Sequence, residues 1–396
     1  MFDITKKAAE DAVKKCKSKR ATCRHLGVHH TTLEKALAGK YEMPTGDAAK
    51  ETVKTAMVSS SLQRQLEAER TLRKNIQESF EEYKACNDAI STLEANFTEP
   101  TAIEPITSSK HSESLSAMFF ADWHVFETVR PAEISGLNDY NPIIARQSIE
   151  TATRSFCSLT DINRAGTTIK TGMISFLGDL ISGHLWPDQI ENNSGSPLEE
   201  VLFATDLAIG SLNYILANGG FDKLIVNAID GNHSRITGKE RRKTNRVKHS
   251  LEWLMFQYIR RYYEDRGEKR ITFNIGEGIH LYIPLVFGVD PRHPNGIVWR
   301  LTHGDEGLKY QGGVGGLAIP VGRTLKQWNE ARYADMTAFG HWHTSLYLNS
   351  ALAVGSTLGY SPLSISYKTQ YESPMQAMLT VERQRGVTAY QPIFVR

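Results

Sequence analysis

The stretch Leu115-Ser116-Ala117-Met118-Phe119-Phe120-Ala121-Asp122-Trp123-His124 decides how the rest of the chain is read. An apolar run of strand length ends in Asp-x-His. Where a strand stops and the chain bends, the two side chains can turn toward one metal ion. Alone the pair means little, because Asp-x-His arises by chance in many proteins. Its weight comes from what lies downstream.

Four later apolar runs end in the same kind of chemistry. Residues 172–177 run into Gly178-Asp179, and residues 223–230 deliver Gly231-Asn232-His233. Residues 296–302 lead into His303-Gly304-Asp305, and residues 334–339 into Gly340-His341-Trp342-His343. Helical patterns over residues 142–158 and about 198–216 separate the first three runs. Strands alternating with helices predict α/β architecture. Ligands at the carboxyl ends of neighbouring strands converge on one edge of a sheet, and the glycines let the backbone approach them closely.

Asp122-x-His124, Gly178-Asp179, Gly231-Asn232-His233, His303 and Gly340-His341-x-His343, in that order, resemble the calcineurin-like metallophosphoesterase superfamily over roughly residues 115–396. The resemblance implies a four-layer α/β/β/α sandwich with two divalent metal ions. Asp122, His124 and His343 would hold one ion and Asn232, His303 and His341 the other, with Asp179 bridging them. Such a donor set suits manganese first, with iron, zinc or nickel as alternatives. Two divalent ions against the carboxylates of Asp122 and Asp179 leave a surplus of about +2, which attracts a phosphate and a metal-bridging hydroxide. The reaction implied is phosphoester hydrolysis. His233 resembles the family's residue that lies beside the metals and protonates the leaving oxygen. Many members carry an acidic residue after it, whereas Ser234 and Arg235 follow here, so an orienting carboxylate has to come from elsewhere or is missing. Asp305 is a candidate partner for a metal-bound histidine. His184, His280 and His293 match no motif and read as satisfied structural histidines.

The first hundred residues lie outside that resemblance. Residues 21–37 read as a short helix, a turn at Gly27 and a second helix, which looks like a helix-turn-helix within a basic module over residues 1–45. Cys23 and Leu33 would let the two helices pack, Thr31 and Glu34 form a candidate capping box, and Gly39 a helix stop. If the second helix enters a DNA major groove, His30, Thr31 or Thr32 reach base edges, while Lys19, Arg20 and Arg24 meet phosphates. Residues 50–97 hold no proline and carry Leu62, Leu66, Ile76, Phe80, Tyr83, Ile90 and Phe97 at mostly helical spacings. That narrow stripe suits a coiled coil or helical hairpin, with a homodimer as its consequence. Pro100, Pro105 and the Thr- and Ser-rich residues 98–114 read as a linker.

Composition sets the outer bounds. At 396 residues, 40% hydrophobic and 23% charged, the chain is long enough for two or three domains of an ordinary soluble protein. Cys16, Cys23, Cys86 and Cys157 are too scattered for a thiolate zinc site or a disulfide framework. No apolar run approaches the roughly 18 residues of a membrane span, and the N-terminus lacks an apolar signal core, so a cytoplasmic location without membrane contact is expected. The formal charge of +2 hides an asymmetry: residues 1–40 hold ten Lys or Arg against four Asp or Glu.

A second basic run, Arg235, Lys239, Arg241, Arg242, Lys243, Arg246 and Lys248, follows His233 and would attract phosphate backbones. Trp186 could stack on a base. Gly312-Gly313-Val314-Gly315-Gly316 lacks the Lys and Ser/Thr of a phosphate-binding loop and reads as a mobile loop. Residues 377–394 around Arg385-Gly386 read as a closing hairpin. Taken together, a two-metal nuclease or phosphodiesterase acting on DNA is expected, similar to the DNA-repair nuclease branch and to bacteriophage metallophosphoesterases. The alternatives are a phosphomonoesterase or nucleotide phosphodiesterase with a small substrate, and a DNA-binding or assembly protein whose phosphoesterase domain is structural.

Overall fold

The structure is a computed structural model that describes residues 6–16, 18–39, 47–95, 112–236, 249–289, 292–310, 316–366 and 369–396. The chain divides into two compact units, Met1–Pro105 and Ile106–Arg396.

In the first unit, helices α1 (Lys6–Cys16), α2 (Lys19–Leu26) and α3 (His30–Leu37) close over Ala9, Leu33 and Ala36, with Cys23, Leu26, Val28 and Leu37 against them. Ser18 Oγ caps α2 by accepting from Ala21 N at 3.2 Å, and Gly27 ends it at φ 64°. A side chain there would strain the left-handed backbone. Helix α3 begins differently from the expected capping box. Thr31 already lies inside the helix, so the cap falls to His29, whose Nδ1 accepts from Thr31 N at 3.5 Å. Glu34 turns instead to Lys19 at 3.2 Å and His30 at 3.5 Å. Helix α1 was not expected from the sequence, and its small Ala9 and Ala12 supply its buried face.

Helix α4 (Asp47–Ala95) spans 49 residues as one helix, not a hairpin. Leu62, Leu66, Ile76, Phe80 and Tyr83 on it are all exposed. Pairs one turn apart support it, including Arg73 with Glu69 at 2.9 Å and Gln77 with Glu81 at 2.8 Å. Residues 96 and 97, and residues 98–111 of the expected linker, lie outside the described residues.

The second unit is mixed α/β with two mixed sheets. The six-stranded sheet has the order β11 (Gly386–Phe394), β10 (Met375–Glu382), β1 (Glu113–Phe120), β2 (Thr168–Phe176), β3 (Lys223–Ala228), β4 (Ile271–Ile275). Strands β1 to β4 run parallel, and in the expected closing hairpin β10 runs antiparallel to β1 and β11 antiparallel to β10. The five-stranded sheet has the order β5 (Leu281–Leu285), β6 (Ile297–Leu301), β7 (Met336–Phe339), β9 (Ala351–Ala353), β8 (Leu346–Leu348). Helices α5 (Pro142–Arg164), α6 (Pro187–Asn192), α7 (Pro197–Asn218), α8 (Leu251–Asp265), α9 (Ala318–Ala331) and α10 (Pro362–Ser366) connect them.

Strand β1 shows why these residues make this fold. Its side chains alternate between two apolar clusters, as a period of two requires. Met118 and Phe120 join Ile174, Phe176 and Val226 with Ile149 and Phe156 of α5, Leu212 of α7 and Phe256 of α8. Leu115, Ala117 and Phe119 join Met173 and Leu379 with Trp299, Leu301, Ala338 and Leu352 of the other sheet. A third cluster sets Val321 and Leu325 of α9 against Phe339, Ala351 and Ala353. Phe119 and Phe120 are both fully buried, each gaining about 1.5–3 kcal/mol relative to an exposed side chain. A strand buried on both faces reads as a nearly continuous apolar run, broken in β1 only by the small Ser114 and Ser116 after Glu113, and that leaves Asp122 conspicuous at its end.

Contrary to the expectation that no run is long enough, α7 is long and apolar enough to cross a membrane by length and composition alone. Half of that stretch is buried in the fold, where Leu207, Leu212 and Ile215 form its core face.

Candidate metal centre

The strand ends position the site. Asp122 N donates to Gly178 O at 3.0 Å and His124 N to Asp179 O at 3.1 Å, which ties the turn after β1 to the turn after β2. Gly340 N donates to His303 O at 3.0 Å, tying the turn after β7 to that after β6. Both Asp122 oxygens accept from His341 N, at 2.8 and 3.0 Å, and so join the two pairs. Gly340 has to be glycine here, because a β-carbon would lie 2.5 Å from Asp122 Oδ2.

Backbone strain is concentrated at these turns. Among the described residues, the non-glycine positions with positive φ are Asp122, His124, Ser135, Asp179, His341 and His343. Side chains rarely adopt that region, and such residues gather at functional sites. All but Ser135 are residues that the sequence nominates as metal ligands.

The seven nominated side chains lie together. His124 Nε2 faces His343 Nε2 at 3.1 Å, with Asp122 Oδ1 at 3.9 and 3.6 Å from them. His303 Nε2 lies 2.9 Å from Asp179 Oδ2 and 3.1 Å from Asn232 Oδ1. His341 packs its ring on His303, with centroids 5.1 Å apart. Two groups are spaced to hold an ion, Asp122 with His124 and His343, and Asp179 with His303 and His341. A third, His124 with Asp179 and His233, lies between them. Asp122, His124, Asp179, Asn232 and His303 are buried, and His233, His341 and His343 are partly exposed.

His303 Nδ1–H donates to Leu177 O at 2.7 Å, which turns Nε2 toward the Asp179 carboxylate and the Asn232 amide. Burial, reinforced by the neighbouring histidines, holds His124 well below its ordinary pKa and takes His341 to about 3 and His343 to about 4. Those three imidazoles are neutral at pH 7 and offer the lone pairs that coordination needs. His303 goes the other way: burial lowers it, but Asp179 overcomes this and carries it to about 10. Burial would lift Asp179 too, yet His303, His233 and His124 together hold it well below the carboxylate range. Asp122 is raised well above that range by burial, with Asp179 adding to the push against His303. His124 Nδ1 is buried with no hydrogen-bond partner, and Glu127 Oε2 lies 3.8 Å away. Once His303 and Asp122 give up their protons, these imidazoles, carboxylates and an amide oxygen, aimed at common points, would fit divalent cations.

His233 stands beside this cluster, its Nε2 3.8 Å from Asp179 Oδ2. Its Nδ1 is 2.8 Å from Ser182 O and 2.6 Å from Gln189 Nε2, and no carboxylate reaches that nitrogen among the described residues. With a proton, Nδ1 donates to the Ser182 carbonyl, and without one it accepts from Gln189, so either tautomer is satisfied. The Trp186 ring lies 5.4 Å from that of His233 and is partly exposed.

Other nominated residues fall elsewhere. Arg235 is mostly buried, and its guanidinium binds Asp305 at 2.6 Å. The pair ties the turn after β3 to the turn after β6. Arg241, Arg242 and Lys243, with Lys239, Arg246 and Lys248, lie outside the described residues, as do residues 311–315 of the glycine-rich loop. Arg24, His30 and Thr31 are exposed on α2 and α3, and Thr32 is half-buried. His184 bonds Gly195 O at 3.0 Å, His293 pairs with Asp335 at 3.2 Å, and His280 packs on Trp328.

Several supporting residues carry no local sequence signal. Fully buried Gln376 accepts from Ala121 N at 2.9 Å and donates to Ala121 O and Gly355 O, fixing the end of β1. Fully buried Glu252 and Glu200 accept from backbone N–H groups of the turns after β2 and β3. Burial pushes both carboxyls up to about 7 against those hydrogen bonds.

No family model matches the chain, and no curated protein matches it. Among solved structures, Thermus thermophilus sulfate thiohydrolase SoxB in complex with glycerol is similar at 10% identity and a TM-score of 0.27. The match covers 74% of this chain, which spans 58% of the length of that protein. At this level the likeness settles neither fold nor activity.

Proposed function

We propose that this chain is a two-metal phosphoester hydrolase of the metallophosphoesterase type, acting on DNA. One observation carries the reading: Asp122, His124, Asp179, Asn232, His303, His341 and His343, drawn from five strand ends in two sheets, bring their donor atoms to common points. In this reading the three apolar clusters correspond to the interfaces of a helix, sheet, sheet, helix sandwich. Asp122, His124 and His343 would hold one ion and Asn232, His303 and His341 the other, with Asp179 within reach of both. Two divalent ions, manganese first, would supply Lewis acidity toward the phosphate and lower the pKa of a nearby water.

The chain's own groups do the rest. His233 is held by Ser182 O or Gln189 at Nδ1 in either tautomer, so its Nε2 can carry a proton for the leaving oxygen without losing its orientation. The basic module over residues 1–45, with Arg24, His30, Thr31 and Thr32 presented on α2 and α3, is assigned to DNA. Exposed Leu62, Leu66, Ile76, Phe80 and Tyr83 on α4 are assigned to a second copy of the chain. The commitment of Arg235 to Asp305 withdraws one cation from a phosphate backbone and favours the second reading, a small phosphoester substrate.

Purified full chain with manganese, assayed on plasmid, linear duplex, single-stranded DNA and p-nitrophenyl phosphate esters, tests the choice. DNA cleavage abolished by EDTA is the expected result. Rapid turnover of the phosphomonoester with no cleavage of any DNA overturns it in favour of the small substrate.

A further inference from the structure

Glu252 lies in the first turn of α8, where an acidic residue usually does no more than complement the helix N-terminus. Here its side chain is fully buried and points away from solvent. Oε1 accepts from Leu180 N at 2.5 Å and Oε2 from Gly231 N at 2.7 Å. Leu180 follows Asp179 directly, and Gly231 directly precedes Asn232. One carboxylate therefore grips the backbone of two turns at positions adjacent to two proposed metal donors.

The turns it grips have no slack. Gly178 and Gly231 are so close that a β-carbon on Gly231 would lie 2.6 Å from Asp179 Cγ, and one on Gly178 would lie 2.6 Å from Gly231 Cα. His233 N donates to Asp179 Oδ1 at 2.9 Å, a second tie between the same turns. Helix α8 is itself fastened to the second turn, since Leu251 N donates to Ser234 O at 2.9 Å and Ser250 Oγ meets Ser234 Oγ at 3.0 Å.

We propose that Glu252 is a positioning residue for the metal centre, holding Asp179 and Asn232 at the separation that lets both donate to one cation. The inference rests on the metal-centre reading above. Two N–H groups facing two oxygens need a carboxylate: a glutamine accepts through one oxygen only and turns its NH2 toward the other N–H. Asp179 and Asn232 would then lose a common brace while keeping their own side chains.

Glu200 is the internal control. It too is a fully buried carboxylate accepting a backbone N–H, from Gly183 at 2.9 Å, but Gly183 is adjacent to none of the proposed ligands. Full-length wild type, Glu252→Gln and Glu200→Gln are stripped with EDTA and titrated with MnCl2 by calorimetry, with melting followed by circular dichroism. The expected result is a loss of manganese affinity of about tenfold or more for Glu252→Gln, and a change within about twofold for Glu200→Gln. If Glu252→Gln does not fold, Glu252→Asp, which keeps the charge but shortens the reach, takes its place with the same expectation. Wild-type affinity in the Glu252 variant, or an equal loss in both variants, overturns the positioning role while leaving the metal centre standing. Failure of the wild-type chain to bind manganese overturns both.

Discussion

The two sides of the candidate centre treat positive charge in opposite ways. His303, between Asp179 and Asn232, keeps a proton up to about pH 10, whereas His343 releases one above about 4 and His124 is held well below its ordinary value. Burial disfavours the charge on all three, so partners make the difference. His303 has the Asp179 carboxylate at 2.9 Å, while His124 and His343 face each other at 3.1 Å with Asp122 farther away. On one side the ring is locked by the Leu177 carbonyl, and its Nε2 has to give up a proton before it can coordinate. The other is a pair of neutral donors whose lone pairs converge. Coordination on the Asp179 side should therefore release the His303 proton and weaken as pH falls.

Removing the group common to both sides should have the largest effect. Asp179 lies within ion-holding distance of His303 and His341 and also of His124 and His233. Asp179→Asn keeps its shape and loses its charge. Its turnover of any phosphoester should fall by more than the roughly 10–100-fold that follows loss of an outer partner. Bound manganese measured by elemental analysis should fall with it, while circular dichroism stays native. An active Asp179→Asn enzyme with full metal content would remove the reason for treating the two sides as one centre.

The asymmetry itself is tested by separating the sides. In calorimetric manganese titrations at about pH 7 in two buffers of different ionisation enthalpy, His303→Ala should release less proton on binding than wild type, while His343→Ala should keep that release and lose affinity by about tenfold or more. Equal proton release in wild type and His303→Ala would show that His303 holds no proton to displace.

The sequence carried the positions of this site much better than its support. Asp122, Asp179, Asn232 and His303 stand at the ends of apolar runs, so their clustering followed from strand direction, and their order carried the family resemblance. Glu252 had no such marker. It reads locally as a first-turn acid, and its partner Leu180 is 72 residues away. Gln376, 255 residues from Ala121, reads as an ordinary strand residue. Arg235 looked like the start of a basic surface because a run of Lys and Arg follows it, and only the fold brings Asp305 to it. Short strands such as β8 and β9 and the alanine-faced α1 escaped for a related reason. Three residues hold too little alternation to read, and small side chains leave a weak helical stripe.

The smallest expected effect concerns stability against pH in the EDTA-treated protein, where the two sides should carry opposite signs. His341 and His343 sit at about 3 and 4, below the roughly 6.5 of an unfolded histidine. As pH falls, the unfolded chain takes up protons first, so their contribution is complete above about 6.5 and is lost as pH drops toward 4 and 3. His303, at about 10, does the reverse: its contribution is complete below about 6.5 and is lost as pH rises through 10. The melting temperature should therefore peak near neutral pH and decline on both sides. His303→Ala should flatten the alkaline decline, and His343→Ala should make the acid decline shallower. The scale is roughly 2–4 °C for each kcal/mol involved. If His303→Ala loses stability with rising pH as steeply as wild type, the Asp179 side does not hold a proton there. The contrast between a charged and a neutral half would then reduce to a difference in geometry alone.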